Sequence, residues 1–311
     1  MQWKLADKYM DKRTMLILRK HIPTVLRNMR SQSVPDSGMA MRLVHFFLRL
    51  KLLMPQLSAS MIRPVSRRIF GLQSFGLHGR LTHIPANEVC CKGEWIDGRY
   101  VMTVQGLMRQ SAVHGENLTL RRTITAVLGE PKLHIHDVIE NEGHTAEPFM
   151  LLYHMNFGYP LLSPQSRLVV RSDAVLGADE TAQAEIDQYA SFHEPMHLRD
   201  ERCYFHDLHA DADGSVRIAL VNDSLELGAV LRFNKNELPC LTEWKMLAEG
   251  EYVLGLEPGN TNPIGRLAAK ERGTLQYLQP GEIRQTHIEL EILDGGAAIR
   301  QAEQEIGGES I

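Results

Sequence analysis

The stretch Phe149–Leu162, FMLLYHMNFGYPLL, decides how the chain is read. Met150, Leu151, Leu152, Tyr153, Met155 and Phe157 make an apolar run of strand length, and Gly158 and Pro160 end it. His154 sits inside that run. A polar side chain in a buried strand needs a partner or has a task. Taken alone, His154 reads as a satisfied core histidine sooner than as a working one.

Outward from this strand, the texture from Gly71 onward stays that of a β protein. Short β-rich runs alternate with Gly, Asn, Asp and Pro punctuation. The expected strands are Tyr100–Gln105, Leu118–Leu128, Lys132–Glu140, Phe149–Phe157, Arg167–Val170, Val216–Asn222, Ala229–Asn234, Leu241–Met246, Tyr252–Leu256 and Ile288–Ile292. Gly129–Pro131, Asn141–Gly143 and Asn222–Ser224 read as hairpin turns. No repeat recurs and no helical pattern interleaves the strands. The expectation is an all-β, antiparallel sandwich rather than a doubly wound sheet.

The 311 residues are 43% hydrophobic, enough for a sizeable core. The net charge of −4 excludes a basic nucleic-acid binder. That average hides an asymmetry. Residues 1–72 carry 14 Lys and Arg against 3 Asp and Glu, and only two of the 24 glycines. Residues 1–71 therefore read as a basic, short, irregular or helical N-terminal segment. Met15–Arg30 and Met41–Met54 are rich in good helix formers, and Pro23, Pro35, Pro55 and Pro64 cut the region into pieces. Residues 72–293 read as the β domain and 294–311 as a loose tail.

No 18-residue apolar run exists, and Arg42, Arg49 and Lys51 interrupt Met41–Met54, so the sequence shows neither a membrane span nor a signal peptide. Cys90, Cys91, Cys203 and Cys240 fit neither a zinc spacing nor a disulfide framework. They read as reduced thiols of a cytoplasmic protein.

Two further segments bear on His154. In Phe75–Ala86, FGLHGRLTHIPA, Gly76 and Gly79 bracket His78, and Arg80 offers a planar fork of donors suited to hydroxyls or a carboxylate. In Tyr252–Arg266, YVLGLEPGNTNPIGR, a strand-like run delivers Glu257 to a Pro-Gly stop, with Asn260, Asn262 and Arg266 behind it. Two histidines and a carboxylate on an all-β scaffold suit a small-molecule sugar or sugar derivative.

Taken in order, LHGR with IPA, NEG with LLYHMNFGYPLL, WKML with GEYVLGLEPGN and GR, and then LQPGE resemble an aldose-1-epimerase-like branch of the galactose-mutarotase-like superfamily, over roughly residues 72–293. The resemblance implies a β-supersandwich with a sugar groove on one sheet. It implies His154 as general acid, Glu257 as general base and His78 as a sugar contact. Arg80 stands where the family has a second glycine, which suggests a different or more acidic substrate. Asn156 and Phe157 depart from the family's usual order. The family's sugar-binding aspartate has no clear counterpart, and Glu243, Trp244 and Lys245 fall near a ligand-contacting strand. The residues expected to bind substrate are His78, Arg80, Asn156, Trp244, Lys245, Asn260 and Arg266. Trp244 or Tyr153 would supply an aromatic platform. Val34–Met41, VPDSGMAM, is a faint echo of the family's N-terminal turn, so edge strands before residue 72 are expected to be missing.

The chemistry asks for this combination. Opening a pyranose needs a base for the anomeric hydroxyl and an acid for the ring oxygen. Rotation and reclosure invert the anomeric centre, with no metal or cofactor. An ordinary histidine, with a pKa of about 6.5, serves either role at neutral pH. His154 and Glu257 are expected to face each other across a groove, a sugar ring apart. A carbohydrate-binding protein without turnover is the alternative on the same scaffold. A third reading is a cupin-like metalloprotein, from His134, His136 and Glu140 on one face of a strand. It lacks the second half of that motif. His193, His197, His206 and His209 fall in the loop-rich Phe192–Asp213 segment.

Overall fold

The computed structural model describes residues 78–307 and the backbone of Leu57–Met61. The helical readings of Met15–Arg30 and Met41–Met54, the echo at Val34–Met41 and the loop residues before His78 lie outside the described residues.

Among the described residues one sheet has six strands, in the spatial order β1 (Leu57–Met61), β7 (Leu151–Gly158), β14 (Glu251–Gly259), β13 (Cys240–Ala248), β10 (Arg202–Leu208) and β9 (Ser172–Gly177). The other has eight, in the order β2 (Asn87–Ile96), β3 (Arg99–Ser111), β4 (Asn117–Val127), β5 (Lys132–Asn141), β16 (Ile283–Asp294), β12 (Leu227–Asn234), β11 (Ser215–Asn222) and β8 (Ser166–Val170). A small ladder joins β6 (Glu147–Phe149) to β15 (Gln276–Leu278). All these strands pair antiparallel.

Strand alternation places the core between the sheets. Leu151, Tyr153, Met155 and Phe157 of β7 and Leu254 and Leu256 of β14 meet Leu120, Ile135, Ile139, Leu290, Leu231 and Ile218 of the larger sheet. Each such aliphatic side chain, withdrawn from water, contributes about 1.5–3 kcal/mol. The residues between them in sequence, His154 and Asn156 on β7 and Gly255 and Glu257 on β14, therefore face away from the larger sheet.

Several expectations are corrected. The tail is a helix, Gly296–Gly307, whose Ile299, Ala302 and Ile306 pack on Ala219, Val221, Val230 and Leu293, on the outer face of the larger sheet. That spacing of three and four residues was an amphipathic signal hidden among glycines and glutamates. Leu57–Met61 lies within the segment expected to be irregular or helical, yet pairs with β7. The Phe192–Asp213 segment contains β10. Asn141–Gly143 is a turn, with Gly143 N–H donating to Asn141 Oδ1 at 2.9 Å, but it leads from β5 into β6 and closes no hairpin. Gly129–Pro131 and Asn222–Ser224 do connect paired neighbours, β4 to β5 and β11 to β12. No helix among the described residues is long and apolar enough to cross a membrane.

Candidate active site

The site grows from the pairing of β7 with β14. Asn156 stands opposite Gly255 and Leu152 opposite Gly259. That register sets His154 directly against Glu257. Cross-strand neighbours on one face bring their Cβ atoms within about 5.5 Å, so the two side chains must meet. His154 Nε2 lies 2.9 Å from Glu257 Oε1. The expected sugar-ring separation is thereby corrected to contact, and the reason is that both residues sit on adjacent strands.

Gly255 makes the contact possible. A Cβ there would lie 2.6 Å from Glu257 Oε1, 3.2 Å from His154 Cε1 and 3.3 Å from Trp244 Cε3. Trp244 stands opposite Gly255 on β13 and meets the His154 ring edge-on, with centroids 5.4 Å apart and an interplanar angle of 74°. Its indole N–H donates to Glu201 Oε2 at 2.7 Å. His78 approaches from a turn in which Gly79 has φ of +64°, and its ring centroid lies 5.5 Å from that of His154. The structure thus brings His78, His154, Asn156, Trp244 and Glu257 onto one face.

This face leaves polar atoms without partners. His154 Nδ1, Asn156 Oδ1 and Thr242 Oγ1 are buried and make no hydrogen bond. Thr242 stands opposite Glu257. The side chains of His154 and Glu257 are 12% and 5% exposed, so solvent reaches the pair from the imidazole side. Burial alone would lower the pKa of His154, but the Glu257 carboxylate outweighs it and the imidazole titrates above its ordinary value. Cys203, opposite Trp244, has its thiol pushed up to about 12, first by burial and then by the Glu201 and Glu257 carboxylates. It stays protonated and is no nucleophile.

Other expected residues lie elsewhere. Lys245 follows Trp244, so it points to the opposite face, between the sheets. Its ammonium donates to Gln188 O at 2.8 Å and Ser191 O at 3.0 Å and faces Glu243 at 3.4 Å. Glu243 is inside with it, 3.0 Å from His206 Nε2. Tyr153 is also interior, bonded to Asp137 and Thr286, and offers no platform. Asn260 serves the backbone: its Oδ1 accepts from Leu151 N–H at 2.7 Å and its Nδ2 donates to Phe149 O at 3.0 Å. Arg80 is paired with Glu116, and its guanidinium turns toward Ser111 O at the β3–β4 hairpin. Arg266 opens the short helix Arg266–Glu271, half-buried.

Thr242 and Glu201 are the residues that sequence reading missed. Thr242 was findable, being two positions from Trp244 on the same strand face. Glu201 precedes β10, and no local pattern ties it to Trp244. Of the remaining histidines, His197 and His209 pair with Glu249 and Asp173 near the surface, and His193 Nδ1 lies 2.7 Å from Glu194 O. His134 and His136 stay in a row along β5, against Glu289 and His287 respectively. Among the described residues no group of three or more His, Cys, Asp or Glu is placed to hold a metal ion, so the cupin-like half-motif forms no cluster.

Comparison with known proteins bears on the family and the fold. The family model described as a domain of unknown function (DUF4432) matches residues 63–292. A crystal structure of a candidate aldose 1-epimerase from Klebsiella pneumoniae superposes with a TM-score of 0.71 at 25% identity, over 74% of this chain. The match spans only 60% of that protein. A galactose mutarotase-like protein from Clostridium acetobutylicum gives a TM-score of 0.53 at 14% identity, over 78% of this chain and 79% of the other. A galactose mutarotase related enzyme from Lactobacillus acidophilus gives 0.50 at 11% identity, over 71% and 75%. The last two show the fold alone. No curated protein sequence matches.

Proposed function

The chain belongs to the DUF4432 family and has the galactose-mutarotase-like fold, and from these premises we propose that it interconverts the anomers of an aldose or sugar derivative by acid–base ring opening. The carrying observation is the His154–Glu257 pair, in contact on the open face of the six-stranded sheet.

Contact between acid and base suits this reaction. The anomeric hydroxyl oxygen and the ring oxygen are bonded to the same carbon, so an acid and a base side by side reach both. The sugar then lies over the pair rather than between its members. Glu257 takes the proton of the anomeric hydroxyl. The C1–ring-oxygen bond breaks as the carbonyl forms, and His154 gives its proton to the ring oxygen. The aldehyde rotates about C1–C2 and closes from its other face, with both protons returned. The raised pKa of His154 favours the imidazolium that this role needs. Trp244 supplies an aromatic wall, and His78, Asn156 and Thr242 offer polar atoms to the sugar hydroxyls.

The test is anomer exchange followed by NMR across a panel of neutral, acidic and phosphorylated aldoses. At least one sugar should exchange faster with the protein than in buffer. A sugar that binds over Trp244, with every exchange rate left at its buffer value, would make this a binding protein instead.

A further inference from the structure

Among the described residues β2 forms one edge of the eight-stranded sheet, and all ten of its residues are exposed. Packing against the core stops at its neighbour β3, through Met102 and Met108. Beyond that line an apolar strip continues. Cys91 stands opposite Val104, Gly93 opposite Met102 and Trp95 opposite Tyr100, so these side chains share the face that elsewhere forms the core. Val89 joins them over Gly106. Val89, Trp95 and Val104 are 61%, 65% and 46% exposed. Such a strip beside a row of unpaired backbone groups is a template for another strand.

The sequence of β2, NEVCCKGEWI, is complementary to itself. Run antiparallel to a second copy about Gly93, it sets Lys92 opposite Glu94 of that copy and Glu94 opposite its Lys92. The same register sets Cys91 against Trp95 and Cys90 against Ile96. In the single chain Lys92 Nζ and Glu94 Oε1 already lie 2.6 Å apart on one face. Across a twofold axis they would form a square of alternating charge, with the two apolar strips adjoining on the other face.

We propose that β2 is a homodimer interface, in which the edge strands of two copies pair antiparallel about Gly93 and join the two larger sheets into one. The bulge between Asn87 and Cys90 fixes where pairing begins, leaving the regular run Cys90–Ile96 as the contact. Neither His154 nor Glu257 lies on this edge, so the proposal stands apart from the catalytic reading.

Charge reversal tests it. The full chain should sediment as a dimer at tens of micromolar. Lys92→Glu should weaken the dimer by about tenfold or more, because Glu then opposes Glu twice. The double variant Lys92→Glu/Glu94→Lys should restore it, since the swapped strand is again complementary to itself. Unchanged circular dichroism confirms folding in each variant. A wild-type monomer at these concentrations overturns the proposal. So does a dimer that tolerates Lys92→Glu, or a double variant that fails to recover.

Discussion

The six-stranded sheet carries two histidine–glutamate pairs, one on each face. On the outer face His154 meets Glu257 at 2.9 Å, and on the inner face His206 meets Glu243 at 3.0 Å. The chemistry and the distances are nearly the same, and the surroundings are opposite. His206 has its other nitrogen on Ser172 Oγ at 2.9 Å, and Glu243 has Lys245 beside it. Both side chains are wholly withdrawn from solvent. His154 keeps Nδ1 unbonded and opens to solvent, next to an unbonded Asn156 Oδ1. Glu243 Oε1 also lacks a hydrogen bond, but it is sealed beside Lys245, and a pair shut away from solvent holds a structure together. A pair that has unbonded atoms and is reached by solvent has something left to bind.

Three measurements break or sharpen this contrast. The largest effect is expected on the outer face. Glu257→Gln or His154→Gln should each lower catalysed anomer exchange by about 10²–10⁴-fold, the usual weight of a positioned acid or base, with the unfolding midpoint little moved. A variant that keeps its rate removes the pair from the mechanism.

On the inner face the same kind of change should cost stability. Burial pushes the Lys245 ammonium downward, and Glu243 pulls partly back. Glu243→Ala leaves Lys245 and His206 without their carboxylate, and urea unfolding should show a loss of about 3–5 kcal/mol. Exchange per folded molecule should persist. A Glu243→Ala variant as stable as wild type would end the distinction between the pairs.

The smallest effect is a displacement in pH. With His154 protonated as the acid, the alkaline limb of kcat/KM should lie above the ordinary histidine value of about 6.5, since the Glu257 contact holds its pKa up. The same contact adds stability fully present below that ordinary value, and loses it as pH rises through the raised one. In Glu257→Gln the residual activity should show a limb moved toward lower pH. A limb that stays put would locate the titrating group elsewhere.

Within the candidate site, legibility followed the range of the interaction. His78, His154 and Glu257 stand out because each breaks a local pattern, as a histidine in an apolar strand or a carboxylate before Pro-Gly, whereas Trp244 came from the family resemblance. Lys245 was misplaced although alternation already forbade it from sharing a face with Trp244. What alternation leaves open is which face looks inward, and on β13 both faces carry polar groups: Thr242 on one, Glu243 and Lys245 on the other. Asn260 and Arg80 were taken for ligand contacts. The Asn260 amide is taken by Leu151 and Phe149, and the Arg80 guanidinium is held by Glu116 with its Nε left unpartnered; these partners are distant in the chain. β2 escaped notice although Val89, Cys91 and Trp95 alternate with Glu88, Lys92 and Glu94, because Cys90, Gly93 and Ile96 interrupt the pattern.

By itself, then, the sequence determined the all-β class, most of the strands, and which side chains are unusual enough to carry chemistry, because backbone preference and period-two burial are local properties. Only the tertiary structure decided that β7 lies beside β14 with His154 against Glu257, and that a second such pair is sealed between the sheets. Strand order and register are set by contacts between residues that can be more than a hundred positions apart, and no local pattern encodes which strand becomes another's neighbour.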